Sequence, residues 1–347
     1  MATVVSFEQA LHALKDFKNK HVLLGNGFSI ALKPDIFAYG SLYENVDFGE
    51  MPKVQQLFEA LKTKDFEIVI KHLQDAATTL AIYASDKKDL QDALRKDAAG
   101  LKDALVQTIA KRHPNRPYEI KAEQYSACRA FLANFGHIFT LNYDVLLYWA
   151  LMQSEVDKLQ LRPDDGFRHP EGDPNQPWVS WQQGNQATVS YLHGALHLFD
   201  AGTDIIKYTW SKTDVPIVDQ IRTALDEEKY PLFVSEGDSE AKRARILHNG
   251  YLHKALRSFE ACCNSGSSAV TIYGHSLAEN DDHILRCIAR GNCPVIAISI
   301  YGDPNSEANK VIFKRAEQLV AVRGPAKGKK NDLSVIYFDA VSAKVWG

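Results

Sequence analysis

The sequence predicts an α/β fold: a Rossmann-like, mostly parallel sheet that is covered by helices and carries an inserted helical layer. Short apolar runs typical of buried strands alternate along the chain with segments that have the apolar period of a helix. Such alternation favours a parallel sheet, because parallel neighbours are joined by crossover helices. The chain has 347 residues, 45% of them hydrophobic, which is enough for one large core. We therefore expect residues 1–347 to form a single domain.

The predicted strands are apolar runs that end at glycine or polar residues. They cover residues 21–24, 137–141, 188–193, 231–237, 269–274, 295–300 and 333–338. The predicted helices have apolar residues at three- and four-residue steps. They cover residues 6–18, 126–135, 145–152, 241–247 and 307–322, and one more begins near residue 281.

Two long segments depart from this alternation. Residues 50–135 show only helical periodicity, which predicts a mainly helical insertion between the first and second strands. Residues 155–188 are rich in proline and glycine, which predicts an irregular loop region of the kind that often forms a lid or a binding loop. Within this region, Trp178 and Trp181 either border a pocket or pack beneath the loop.

Composition argues against several classes of protein. The net charge of −3 gives no general reason to expect direct nucleic-acid binding, although a local basic patch at residues 323–330 would not show in the sum. No apolar run approaches the ~20 residues that span a bilayer, and the first residues lack the features of a secretory signal. We therefore expect a cytoplasmic protein without membrane contact. The five cysteines form no Cys-x-x-Cys pair, which predicts free buried thiols and no metal site.

The first predicted strand runs into a turn that contains Gly25, Asn26, Gly27 and Ser29. Glycine permits positive φ angles and close approach of the backbone, and exposed N–H groups at a helix start attract a phosphate. These four residues are therefore candidates for cofactor binding. An ordinary strand-to-helix turn is the alternative. A hydride-transferring dinucleotide enzyme is disfavoured, because Ile30 stands where its fingerprint has a third glycine.

The second predicted strand runs into the sequence TLNYD at residues 140–144. In open α/β sheets, ligands bind just beyond the carboxyl ends of the strands. Asn142 and Asp144 are therefore candidate catalytic residues, and Tyr143 between them is a candidate for cofactor binding. The alternative is that Asn142 and Asp144 only cap the helix that follows, since both residue types are good N-caps.

Two further strand ends carry side chains suited to chemistry. His193 can exchange a proton near neutral pH, and the neighbouring Gly194 leaves room for a substrate. A purely structural histidine is the alternative. Gly274 and Ser276 follow a later strand, with Asp281 at the start of the next helix. Serine and acidic groups there could hold ribose hydroxyls, whereas capping of that helix also fits Asp281.

The order and spacing of these four motifs resemble the sirtuin-like NAD-consuming domains, in particular the bacterial anti-phage defence effectors that hydrolyse NAD⁺. The resemblance covers residues 21–302. It implies that Asn142 and His193 are catalytic and that Asp144 is the acid of the same motif. It further implies that the pyrophosphate and adenosine side of NAD⁺ is lined by Gly25, Asn26, Gly27 and Ser29, and that the adenosine ribose lies near Gly274, Ser276 and Asp281.

The resemblance implies an NAD⁺ glycohydrolase that releases nicotinamide and ADP-ribose, with NAD⁺ as substrate and no metal. It also implies a regulated effector, with an activating or inhibiting protein partner or nucleotide ligand and an oligomeric state. Protein deacylases of this group have a four-cysteine zinc module that this sequence lacks, so lysine deacylation is disfavoured. A non-catalytic sensor of NAD or ADP-ribose is the main alternative. The presence of both Asn142 and His193 counts against it.

Overall fold

The computed structural model describes residues 3–49, 51–169, 176–184, 187–209, 215–325 and 331–347. The strands are β1 (Val4–Val5), β2 (Asn19–Leu24), β3 (His137–Thr140), β4 (Phe167–Arg168), β5 (Trp178–Trp181), β6 (Val189–Tyr191), β7 (Leu198–Asp200), β8 (Ile205–Tyr208), β9 (Ser268–Tyr273), β10 (Val295–Ile300) and β11 (Ser334–Asp339). The helices are α1 (Phe7–Ala13), α2 (Gly27–Ile30), α3 (Pro34–Phe37), α4 (Tyr39–Asn45), α5 (Pro52–Ala60), α6 (Phe66–Tyr83), α7 (Lys88–Arg112), α8 (Ala122–Leu132), α9 (Leu146–Met152), α10 (Ile217–Asp226), α11 (Ser239–Leu247), α12 (Gly250–Cys263), α13 (Asp282–Arg290) and α14 (Glu307–Arg323).

In the described part of the chain, seven strands form a parallel sheet in the order β1-β11-β10-β9-β2-β3-β6. From β2 the chain adds β3 and then β6 on one side. It then returns to the other side of β2 and adds β9, β10 and β11. This is the strand order of a doubly wound, Rossmann-like fold, so the predicted α/β class is confirmed. The order reverses between β2 and β9, which is the topological switch point where such sheets bind ligands.

The sheet is covered by helices on both faces. All residues of β9 and β10 are buried, as expected for parallel strands at the centre of a helix-covered sheet. Helix α12 packs on β9 and β6, and α1 packs on β11. Among the described residues, no helix combines the length and the apolar character that crossing a bilayer requires.

Most predicted elements lie where the sequence placed them, with two corrections. The predicted strand at residues 231–237 is wrong, because Phe233 makes only an isolated antiparallel bridge to Gly194. The irregular region at 155–188 is wrong in part, since it contains β4 and β5, which join β8 and β7 in a four-stranded antiparallel sheet. Pairing with a distant partner, which leaves no local pattern, stabilises such short strands. Residues 170–175 and 185–186 of this region, and 326–330 of the basic patch, lie outside the described residues.

The predicted helical insertion is present as α5 to α8 between β2 and β3. Its two longest helices, α6 and α7, pack against each other. Asp65 caps α6 by accepting hydrogen bonds from the backbone N–H groups of Glu67 and Ile68. Helix α6 therefore begins at a fixed point, with Glu67 held in its first turn.

The prediction that the cysteines are free thiols is confirmed, and the prediction that they are buried holds for three of the five. All five cysteines are free, and three of them are buried, whereas Cys262 and Cys287 are half-buried. Trp178 and Trp181 of β5 are not among the described residues that line the cavity discussed in the next section. Trp181 instead packs edge-on against Tyr251, at 5.8 Å between ring centroids.

Candidate active site

A cavity of about 860 Å³ opens at the carboxyl ends of β2, β3, β6 and β9, at the switch point of the sheet. Of the predicted site residues, its wall contains Gly25, Asn26, Gly27, Asn142, Tyr143, Asp144, His193, Gly274, Ser276 and Asp281. Ser29 is fully buried and is not among the described wall residues. The fold thus brings the four motifs to one cavity, whose size is typical of sites for small molecules and cofactors.

The glycines of the turn also have a structural reason of their own. A Cβ atom on Gly27 would lie 2.5 Å from the Cα atom of Gly274, so the glycines allow the ends of β2 and β9 to touch. The Gly27 N–H donates to the Gly274 carbonyl at 2.8 Å, and the N–H groups of Phe28 and Ser29 donate to carbonyls within the turn. These N–H groups are therefore already occupied by protein acceptors. A side chain at Gly27 would disturb the sheet before it met a ligand.

Gly194 also has a structural reason for being glycine. Its φ angle is +79°, and a Cβ atom there would lie 1.9 Å from the carbonyl oxygen of Leu232. The space beside His193 is therefore filled by the Leu232 backbone and is not left for a substrate. His193 itself reaches the cavity from the end of β6.

Asn142 and Asp144 are linked through the hydroxyl of Ser29. The Asn142 Nδ2 atom donates to Ser29 Oγ at 2.9 Å, and Ser29 Oγ donates to Asp144 Oδ2 at 2.5 Å. The Asn142 NH2 group can only donate, so Ser29 Oγ accepts from it and has its own proton free to donate to Asp144. Ser29, predicted to contact the cofactor, instead holds the two candidate catalytic residues in place.

The alternative that both residues are helix caps holds for only one of them. Asp144 Oδ1 accepts the backbone N–H of Leu146 at 2.9 Å, at the start of α9. Asn142 makes no such contact: its Nδ2 atom donates to Ser29, and its Oδ1 atom is buried without a partner. A buried amide oxygen without a donor is costly. Asn142 therefore has an unused acceptor beside the cavity, as a ligand-binding asparagine requires.

His193 is held as a neutral base. Burial, followed by the charge of Lys242, lowers the pKa of His193 well below its usual range. Its Nε2 atom lies 3.0 Å from Nε2 of His283 and 3.9 Å from Oδ1 of Asp281. One of the two Nε2 atoms carries the shared proton, and it can lie on His193, whose Nε2 atom then donates to His283. Nδ1 of His193 is then unprotonated and can accept a proton.

Three charged side chains meet in the wall beside His193. The Lys242 side chain is only 1% exposed, and its ammonium contacts Glu67 Oε2 at 2.7 Å and Asp281 Oδ1 at 2.8 Å. His275 accepts the Leu277 N–H through Nδ1 and therefore donates through Nε2 to Asp281 Oδ2, at 2.9 Å. Asp281 is thus bound by a lysine and a histidine and does not use its carboxylate as a cap for α13. Its Oδ1 atom also lies 3.9 Å from Nε2 of His193, and its predicted role near the adenosine ribose stays a prediction.

One lysine cannot fully neutralise two buried carboxylates. Burial would raise the pKa of Asp281, but Lys242 and the hydrogen bond from His275 hold it well below its usual range. Burial raises the pKa of Glu67 from 4.5 to about 7, against the attraction of Lys242 and with the repulsion of Asp281 added. Asp281 is therefore ionised at neutral pH, and Glu67 is the carboxyl group that exchanges a proton there.

We predict that the Glu67→Gln variant has a flatter dependence of stability on pH than the wild type. Because the pKa of Glu67 is higher in the folded protein, the folded state holds its proton more tightly, so its contribution to stability falls as the pH rises from 4.5 to about 7. The amide has no proton to lose. The measurement is the free energy of unfolding in urea across this pH range. The control is Glu59→Gln, at an exposed glutamate of α5, whose free energy of unfolding should change with pH as in the wild type. The same pH dependence in Glu67→Gln would contradict the raised pKa assigned to Glu67.

Sequence reasoning missed Glu67, Lys242, His275 and His283. Glu67 lies in the helical insertion and Lys242 in α11, in segments that were interpreted only as helices. A weak signal existed in α11, because Lys242 shares a helix face with the buried Ser239 and Ile246 at three- and four-residue steps. A lysine in such a buried stripe needs an acidic partner.

The same cluster contains a possible set of metal ligands. The ligand atoms of His193, Asp281 and His283 lie within 4.8 Å of one another. However, the Lys242 ammonium contacts Asp281 Oδ1, the same oxygen that faces His193. A positive charge already occupies the position beside the shared carboxylate, which opposes a metal ion at this place.

Comparison with known proteins places the chain in a family. No curated protein matches the sequence. The sequence matches the family described as "Domain of unknown function (DUF4917)" over residues 22–346. This span begins within β2, continues through β11 and includes every cavity residue discussed above. The chain therefore belongs to the DUF4917 family.

Proposed function

We propose that the protein is an NAD⁺ glycohydrolase, which cleaves the bond between nicotinamide and ribose to give nicotinamide and ADP-ribose. The observation that carries the proposal is that Asn142, with a free amide oxygen, and His193, a neutral base, face one cavity at the switch point of a Rossmann-like sheet. Dinucleotides bind at this position in such sheets. The resemblance of the four motifs to NAD-hydrolysing domains supports the same reaction.

The electrostatics of the cavity suit this bond cleavage. When the bond breaks, its electron pair moves to the nicotinamide nitrogen, which becomes neutral, and positive charge develops on the ribose ring. Glu67 and Asp281 share one lysine, so this end of the cavity can stabilise a developing positive charge. Nicotinamide leaves without needing a proton, so no strong general acid is required.

The second half of the reaction needs an oriented water molecule and a base. Under the proposal, Asn142 Oδ1 accepts a hydrogen bond from a ribose hydroxyl or from the water. The water adds to the ribose carbon, and its proton moves to His193. Asp144 acts indirectly, since its carboxylate holds Ser29 and through it Asn142.

We expect Asn142→Ala to bind NAD⁺ but to release nicotinamide ~10²- to 10³-fold more slowly, the loss that follows removal of one preorganised hydrogen-bonding group. Most binding affinity should remain, because the rest of the cavity is unchanged and the lost contact matters chiefly in the transition state. The measurements are NAD⁺ affinity by calorimetry and nicotinamide release by chromatography. The matched control is Asn134→Ala, which loses two hydrogen bonds to backbone carbonyls of α8 and does not alter the described cavity wall.

The same assays distinguish the competing functions. One outcome is that the purified wild type binds NAD⁺ or ADP-ribose without turnover and that its expression leaves cellular NAD⁺ unchanged. In that case the protein is better described as a non-catalytic sensor. If nicotinamide is released only when an acylated lysine peptide is added, the protein is a deacylase. If neither binding nor turnover is found, the cavity serves another ligand and the proposal is wrong.

We further propose that the protein is a regulated, NAD-depleting effector of bacterial anti-phage defence that acts in the cytoplasm. The resemblance stated above supports the defence role, together with an oligomeric state and control by a protein partner or nucleotide ligand. Its five free cysteines suit a reducing compartment. An unrestrained NAD⁺ hydrolase would be lethal, so expression of the active protein should lower cellular NAD⁺ and arrest growth, whereas the Asn142→Ala variant should do neither.

A further inference from the structure

A second cluster of ligand-type side chains lies away from the cavity, near the amino ends of the central strands. His21 of β2 and His137 of β3 are direct neighbours in the parallel register, and their ring centroids are 5.1 Å apart. Cys262 of α12 completes the cluster. One ring nitrogen from each histidine and the cysteine sulfur lie within 4.8 Å of one another. His21 precedes the glycine turn by four residues, so the strand separates this cluster from the cavity by roughly 13 Å.

The two histidines have unused nitrogen atoms. Nδ1 of His21 and Nδ1 of His137 are buried and have no hydrogen-bond partner. His21 is only 4% exposed, so water cannot easily serve its ring. Its other nitrogen, Nε2, lies 3.3 Å from Ser268 Oγ. If Nε2 donates there, Nδ1 carries a lone pair that points to no protein group, which is the state of a metal-binding imidazole.

We propose that His21, His137 and Cys262 bind a transition-metal ion of the zinc class. Two imidazoles and a thiolate are the ligand types that Zn²⁺ selects over Mg²⁺ or Ca²⁺. Around a tetrahedral Zn²⁺, bond lengths of about 2.0 Å to nitrogen and 2.3 Å to sulfur place ligand atoms roughly 3.5 Å apart, within the spacing found here. The cluster therefore needs little movement to close around the ion.

Three protein ligands leave one coordination position open. Structural zinc sites are closed by four protein ligands, whereas sites with three keep a position for water or another small ligand. His137 and Cys262 are half-buried, which gives an ion a route from solvent. Because the ligands come from β2, β3 and α12, the ion also ties the helix to the sheet.

The proposed site departs from the prediction that the protein contains no metal, which stays untested until the ion is shown to bind. That prediction relied on the absence of a Cys-x-x-Cys pair. The three ligands are widely separated in sequence, at residues 21, 137 and 262, and only the parallel register of β2 and β3 brings the histidines together. Spacing in the sequence therefore gives no sign of the site.

The test is a calorimetric titration in which Zn²⁺ alone is added to the chelator-treated 347-residue protein. We expect one equivalent to bind to the wild type and to raise its melting temperature, since a ligand of the folded state stabilises it. Removal of an outer-sphere partner typically weakens metal binding ~10- to 100-fold, and loss of a direct ligand in Cys262→Ser or His137→Gln should weaken it more. Cys287→Ser, which changes the other half-buried thiol, should bind as the wild type does.

Cobalt provides a measurement that does not depend on how the variants fold. Co²⁺ bound to the wild type should show a thiolate-to-metal charge-transfer band and the strong visible bands of a tetrahedral ion. Absence of stoichiometric Zn²⁺ binding, or a Co²⁺ complex without the thiolate band, would overturn the proposal. Equal affinity of the wild type, Cys262→Ser and His137→Gln would overturn it as well. None of these readouts involves NAD⁺, so the outcome is independent of the proposed glycohydrolase activity.

Discussion

Replacing His193 with alanine is expected to lower nicotinamide release by about 10²- to 10⁴-fold, the usual contribution of a positioned general base. The expectation follows from the neutral state of the ring, which burial and Lys242 maintain, and from its place in the cavity wall. Nicotinamide release should be measured per folded molecule, because His193 is 2% exposed and its removal leaves a small void and an unpaired His283.

A second variant separates the loss of the base from the loss of the hydrogen bond. In His193→Gln, the side-chain amide can still reach His283, but it cannot accept a proton as an imidazole does. We expect it to melt closer to the wild type than His193→Ala does and to be equally slow. His253→Ala, at an exposed position of α12, should keep wild-type turnover. If His193→Gln turns over NAD⁺ at the wild-type rate, His193 is a structural residue and another group is the base.

The residues at the strand ends could be predicted from the sequence because the fold class already determines where they meet. Apolar runs show where strands end, and parallel strands bring their carboxyl ends to one edge of the sheet. Asn142 and His193 therefore reach one cavity although 51 positions separate them in the printed sequence. What the sequence could not show was how each residue is held there, as with Ser29, whose hydroxyl joins Asn142 to Asp144.

The charged cluster could not be predicted, for a physical reason. Periodicity shows which face of a helix is buried, but it does not show which polar group will face a buried charge. Glu67 and Lys242 are 175 residues apart and come from separate helices. Only the packing of the helical insertion and α11 around the cavity brings them into contact, so neither segment alone marks the pair.

The short strands of the second sheet were missed for a related reason. Strand β4 has two residues and β7 has three, too few for alternation to be visible. Their stability comes from cross-strand pairs with β5 and β8. The prolines and glycines of residues 155–188 indicated turns. Turns that join paired strands and turns within an irregular loop have the same composition, so the strands between them were not recognised.

The Lys242→Met variant is expected to lose about 3–5 kcal/mol of stability at neutral pH, the cost of leaving buried charges without their partner. Methionine fills most of the space of the lysine stem, so loss of volume adds little. The Lys242 side chain is 1% exposed, and its ammonium contacts both Glu67 and Asp281. Among the described residues, no other lysine or arginine forms an ion pair with either carboxylate. The measurement is the free energy of unfolding in urea. The control is Lys64→Met, whose solvent-exposed ion pair with Glu44 should be worth about 0–1 kcal/mol.

The pH dependence of this loss tests its electrostatic cause. In the wild type, the lowered pKa of Asp281 contributes stability that is present above its ordinary value of 3.8 and is lost as the pH falls through the lower value of the folded state. In Lys242→Met, both carboxyl groups should bind protons more tightly in the folded state, so the stability of the variant should rise as the pH falls. The difference in free energy of unfolding between the wild type and Lys242→Met should therefore narrow steadily towards acidic pH. A constant difference across that range would show that Lys242 stabilises the fold by packing, and the buried charge cluster would lose its assigned role beside His193.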